Sequence, residues 1–103
     1  MAQQDLIDIR RYITEDLQNP SAAKNTITSI LQAMRQLEQF PYSGAPLQAH
    51  GMDTGYRSIV SGNYRAFYHC DAENVYVVRI LYGRRDFMRI LFGTAYLSDE
   101  DDF

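Results

Sequence analysis

The stretch Gly62-Asn63-Tyr64-Arg65-Ala66-Phe67-Tyr68-His69-Cys70-Asp71-Ala72-Glu73-Asn74-Val75-Tyr76-Val77-Val78-Arg79-Ile80-Leu81-Tyr82-Gly83 decides the fold. Two runs rich in aromatic and β-branched residues flank Asp71-Ala72-Glu73-Asn74, a cluster of turn-forming residues. This spacing predicts an antiparallel hairpin of strands 63–70 and 75–82. Alternation places Tyr64, Ala66, Tyr68 and Cys70 on one face of the first strand. Arg65, Phe67 and His69 fall on the other. Working back, Ser61-Gly62-Asn63 is a tight turn, and Tyr56–Val60 reads as a third strand completing a meander.

Further upstream the period changes. Leu6, Ile9, Ile13 and Leu17 recur at helical spacing over residues 3–17, with Tyr12 widening the stripe and Asp5 and Asp8 set mostly off it. Asn19 suits an N-cap and Pro20 the first helical position. A second stripe of Ala23, Ile27, Ile30, Leu31, Met34 and Leu37 follows. The first 40 residues therefore predict an antiparallel helical hairpin. Residues 41–55, with Pro41, Gly44, Pro46, Gly51 and Gly55, read as a loop that also holds His50. Downstream, Arg84–Phe92 predicts a short helix. The expected class is α+β: a helical hairpin on one face of a three-stranded antiparallel meander, with the other face open to carry arginines. Residues 1–93 form the expected domain, and 94–103 an acidic tail.

With 103 residues, 46% of them hydrophobic, the chain can build one core. No apolar run reaches the roughly 18 residues of a membrane span, and the first residues carry no signal-peptide pattern. Cys70 is the single cysteine, so a reducing cytoplasm is expected. The net charge of −3 is unevenly spread. Residues 1–53 hold four basic and six acidic groups, and residues 94–103 hold four acidic groups alone. Residues 54–93 hold six arginines against three acids, a local +3. That half carries Arg57, Arg65, Arg84, Arg85 and Arg89, whose planar guanidinium groups match phosphate. Each can equally pair with a carboxylate or lie along the sheet with its head in water. No His, Cys, Asp or Glu cluster has metal-ligand spacing, and no glycine-rich phosphate loop is present. Neither a metal nor a cofactor is expected.

Three stretches together resemble the RelE/ParE toxin superfamily of type II toxin–antitoxin systems: Ala2–Ile9; Phe40-Pro41-Tyr42-Ser43-Gly44; and Tyr56-Arg57 with Gly62–Tyr68 and Val78–Asp86. The resemblance covers roughly residues 2–92. It implies an antitoxin partner that wraps the toxin with an extended segment. It also implies a β-strand before the first helix; the sequence begins inside what reads as that helix, so either the strand is absent or the start lies downstream of the family norm, and a bare sheet edge is expected. In the ribonuclease branch, the 2′-hydroxyl of ribosome-bound mRNA attacks the adjacent phosphate without metal. By family position Arg65 and Arg85 match arginines acting on that phosphate, and Arg57 falls near lysines used there. Arg84 and Arg89 would add phosphate contacts.

Proton transfer would fall to His69 or Tyr82, with Tyr64 a further donor. The favoured reading of His69 is a partly buried strand histidine, and the tyrosines are usually packing residues in strands. Tyr96 is a distant counterpart of the family's C-terminal tyrosine. The expectation is a ribosome-dependent mRNA endoribonuclease. The alternatives are a ParE-like, non-enzymatic inhibitor of DNA gyrase and an inactive toxin-fold binding module. Either a homodimer or a toxin–antitoxin hetero-oligomer fits the family.

Overall fold

The computed structural model describes residues 1–83 and 85–93. Helix α1 (Ala2–Arg11) runs into a wider π-helical turn, Tyr12–Asp16. The Leu17 N–H there donates to the Tyr12 carbonyl at 3.1 Å. Gln18 turns the chain at φ 52°. Asn19 then caps α2 (Pro20–Gln36), its Oδ1 accepting the Ala22 N–H at 3.1 Å, with Pro20 at the first position as the sequence predicts. The π turn swings Tyr12 and Leu17 away from the stripe that Ile9 and Ile13 continue. Leu17 is 55% exposed although it lies on the predicted apolar face.

Four antiparallel strands follow: β1 (Ala45–Ala49), β2 (Met52–Ser61), β3 (Tyr64–Cys70) and β4 (Val75–Tyr82), in spatial order β1-β2-β3-β4. The sheet therefore has one strand more than the predicted meander, and the segment 41–55 is not all loop. Pro46 and Gly55 disguise the extra hairpin as breakers. Yet Pro46 lies on an edge strand, where a missing N–H is tolerated, and Gly55 sits at φ 82° inside β2. His50 and Gly51 both have positive φ, 54° and 76°, between the paired residues Ala49 and Met52. Positive φ at both central residues is the signature of a two-residue hairpin turn that matches strand twist.

One core lies between the helices and the sheet, where Ile9, Ile13, Ala23 and Ile30 pack on Ala66 and Ile80. The predicted open face is also covered. Helix α3 (Phe87–Phe92) lies over it, bringing Phe87, Met88, Leu91 and Phe92 onto Leu47, Phe67 and Leu81. The short helix is legible in the sequence, but which surface it covers depends on the chain reversing after Gly83. The alternation of β3 is as predicted: Tyr64 and Ala66 face the helical hairpin, while Phe67 faces α3. Among the described residues no helix is long and apolar enough to cross a membrane.

The β3–β4 turn is held by Asp71, whose Oδ1 accepts the Glu73 and Asn74 N–H groups at 2.8 and 2.7 Å. Those two bonds, then the Tyr76 hydroxyl, hold its carboxyl below the ordinary value of 3.8. A depressed folded value stabilises the turn above the unfolded value, and that contribution disappears as pH falls through the folded one. The Asp71 carboxyl is therefore expected to titrate by NMR with a midpoint under 3.8, with the Glu73 and Asn74 amide signals moving together with it. A midpoint at or above 3.8 would contradict the bonded turn.

Candidate functional site

The candidate residues do not converge on one place. Arg57 pairs across the ladder with Tyr68, so it shares the helical face of the sheet. Its Nη1 donates to the carbonyls of Tyr42 and Gly44 at 3.1 and 2.8 Å, and its guanidinium lies over the Tyr42 ring, 5.2 Å from the centroid. Arg57 thus clips the 41–44 loop to the sheet. Arg65 lies on the opposite face, its guanidinium 5.3 Å from the Phe87 centroid.

His69 shares that face with Arg65 but sits four residues further along β3, about 13 Å away at ordinary strand rise. Its ring stacks on Tyr76 at 5.0 Å and meets Tyr56 edge-on at 5.5 Å. Tyr76 in turn donates its hydroxyl to Asp71 Oδ2 at 3.0 Å. Arg89 is exposed in the last turn of α3, which Asp86 caps by accepting the Arg89 N–H at 3.3 Å. Arg84, Tyr96 and the acidic tail lie outside the described residues.

The structure brings Tyr64 and Tyr82 together twice: with Arg65 in a pocket of about 220 Å³ beside Asn63 and Gly83, and with Arg85 on the helical side. Tyr64, Tyr82 and Arg85 line one open cleft of about 750 Å³ between the helical hairpin and β4, with Ile9 and Ile13 in its wall and Tyr12 beside them. The rings of Tyr64 and Tyr82 meet edge-to-face at 5.7 Å. Burial first, then the neighbouring Tyr12 and Tyr82 phenols, push the Tyr64 hydroxyl above its ordinary value of 10.0. Tyr64 therefore enters neutral-pH chemistry as a protonated donor, not as a base. Arg85 is exposed, and its backbone N–H donates to the Tyr82 carbonyl at 2.9 Å.

Two residues of this cleft escape the sequence reading. Tyr12 reads as part of an apolar stripe, yet the π turn leaves it half exposed at the mouth. Asp5 reads as a solvated helix residue, yet it is 9% exposed on the cleft wall. It accepts Arg79 Nε and Nη2 at 2.8 and 3.0 Å and the Ile80 N–H at 2.9 Å. The Asp5 hydrogen bond is the leading cause that holds the Arg79 guanidinium above its already high ordinary value. A signal existed: Asp5, Ile9 and Ile13 stand at successive steps of four on one helix face.

Among the described residues no group of three or more His, Cys, Asp or Glu is placed to hold a metal ion. The tyrosine-lined cleft with an arginine at its rim is thus a polar-mouthed, apolar-walled surface suited to binding. A comparison with curated proteins finds no match. The family model described as the ParE toxin of type II toxin-antitoxin system, parDE, matches residues 1–87, which span the helical hairpin, all four strands and the first residue of α3. The chain belongs to the ParE toxin family of type II toxin–antitoxin systems, a family that implies an antitoxin partner.

Proposed function

We propose that this toxin acts in the cytoplasm by binding DNA gyrase and blocking it, without cutting RNA, and that a cognate antitoxin holds it inactive. The observation that carries this reading is the scatter of the groups RNA cleavage would need. Attack by a 2′-hydroxyl requires an acid, a base and cations within hydrogen-bond reach of one phosphate. Arg57 lies on one face of the sheet, its Nη1 donating to two backbone carbonyls and its guanidinium held over the Tyr42 ring. Arg65 and His69 lie on the other face, about 13 Å apart, and each is packed against an aromatic ring. The cleft that gathers Tyr64, Tyr82 and Arg85 has a phenol raised in pKa and an arginine, neither of which takes a hydroxyl proton at neutral pH. Of its two carboxylates, Asp5 is bound to Arg79 and the Ile80 N–H, and Asp8 accepts from Gln4 on the exposed side of α1. The match to the ParE toxin description supports the same reading.

Two assays run side by side test it. Purified chain is titrated into a gyrase supercoiling reaction. Separately, messages from cells expressing the chain without antitoxin are mapped by primer extension. The expected outcome is supercoiling abolished at saturating toxin, with messages intact at the onset of growth arrest. Supercoiling unaffected at saturation removes the gyrase target. New cleavage ends within translated regions, lost on Arg85→Ala, would establish the endoribonuclease in its place.

A further inference from the structure

Strand β4 is an edge strand: it pairs with β3 on one side, and among the described residues no strand lies along the other. Of its eight residues, Val75-Tyr76-Val77-Val78-Arg79-Ile80-Leu81-Tyr82, six are valine, isoleucine or tyrosine, which favour strands; none is proline, and Arg79 is the single charge. Such a segment on an open edge invites pairing with a copy of itself. The Ile80 N–H points outward, away from β3, because it donates to Asp5 Oδ2. By the period of a strand, the Tyr82 N–H points the same way. An incoming strand would need those outward groups.

We propose that Asp5 guards this edge. Its carboxylate stands where the carbonyl of an incoming strand would stand, on the Ile80 N–H, and it holds the one β4 charge, Arg79, along the edge through two further bonds. The partner excluded is a second copy of this chain. Antiparallel β4–β4 pairing of two copies would satisfy the remaining outward groups and set valine, isoleucine and leucine side chains against their equivalents. Asp5 comes from α1, so the guard is present only while α1 is docked on β4. Folding of the helical hairpin and protection of the edge are therefore one event.

The test is sedimentation velocity of the full chain over a concentration series, with circular dichroism to establish folding. Asp5→Ala is expected to convert the wild-type species into one of twice its mass as concentration rises. Adding Tyr82→Pro, which deletes an outward N–H while leaving the β3 ladder in place, is expected to restore the wild-type mass. Asp5→Leu combined with Arg79→Met keeps the contact between α1 and β4 apolar and filled. It leaves the Ile80 N–H equally open, so it should associate in the same way if Asp5→Ala fails to fold. A folded variant of either kind that sediments as the wild type does, or association that survives Tyr82→Pro, overturns the proposal. In the wild-type chain itself, the Ile80 amide should exchange its hydrogen about tenfold or more slowly than the Tyr82 amide. Equal exchange at the two positions would also overturn it.

Discussion

Replacing Phe67 with alanine is expected to remove about 4 kcal/mol of stability, the range for deleting a large buried aromatic side chain. For a domain near this size that lowers the melting temperature by about 20 °C. Phe67 is fully buried, and its ring lies 5.0 Å from that of Phe87 in the cluster that also holds Leu47 and Leu81. The loss comes in two parts, the transferred surface and the void left behind, because a neighbouring strand cannot collapse into the space. Helix α3 has six residues and cannot hold its shape alone, so its order depends on this contact. Phe67→Leu, which keeps most of the volume, is expected to lose less than about 1.5 kcal/mol. Calorimetry measures the stabilities, and amide exchange over residues 87–92 reports whether α3 loosens in the alanine variant. A melting temperature within a few degrees of the parent would mean that the second face of the sheet is not a packed layer.

Gly44→Ala should cost about 3 kcal/mol, for reasons of space alone. Gly44 does not sit at positive φ, so backbone strain does not enter. A Cβ there would lie 2.5 Å from Tyr68 Oη and 2.8 Å from both Tyr68 Cε1 and the Ser58 carbonyl oxygen. Neither neighbour can yield. Ser58 offers backbone, and Tyr68 is fully buried with its hydroxyl engaged on both sides, accepting the Gly44 N–H at 2.9 Å and donating to the Pro41 carbonyl at 2.8 Å.

Tyr68→Phe leaves the Gly44 N–H without its buried acceptor and should cost about 1–3 kcal/mol by itself. The two changes share one contact, so the double variant is expected to lose less than the sum of the singles. Denaturant melts of the four proteins make the comparison. Strict additivity would mean that the loop at 41–44 sits away from Tyr68. The same loop carries the two carbonyls that Arg57 binds, and a loosened loop would free that arginine.

Much of this molecule is written in local pattern. The β3–β4 hairpin follows from two period-2 runs around a turn-forming cluster, and the structure returns Val75–Tyr82 as read. The junction between the first two helices follows from Asn19-Pro20, where the cap bond and the fixed proline φ act over three residues. Strand β1 was not legible, because Pro46 and Gly51 signal a break in isolation. Only the partner strand β2 makes an edge proline tolerable and turns His50-Gly51 into a hairpin.

The site was less legible than the fold. Side-chain alternation correctly assigned Arg65 and His69 to one face, but it carries no information about what covers that face. Arg57 reads as a phosphate contact from its charge and family position, and neither carries any sign of the Tyr42 and Gly44 carbonyls that its Nη1 meets. Asp5 and Arg79 stand 74 residues apart, a pairing that no local pattern encodes.

By itself the sequence determined the class of the fold, the family likeness, the helical hairpin and the order of the last three strands. These rest on periodicity and turn chemistry, which act over a few residues. The tertiary structure alone decided that both faces of the sheet are covered, that Tyr12, Tyr64, Tyr82 and Arg85 share a cleft, and that a helix carboxylate holds the outer edge of β4. Those outcomes depend on which surfaces meet when the chain collapses, and burial is a property of the whole assembled surface, not of any one segment.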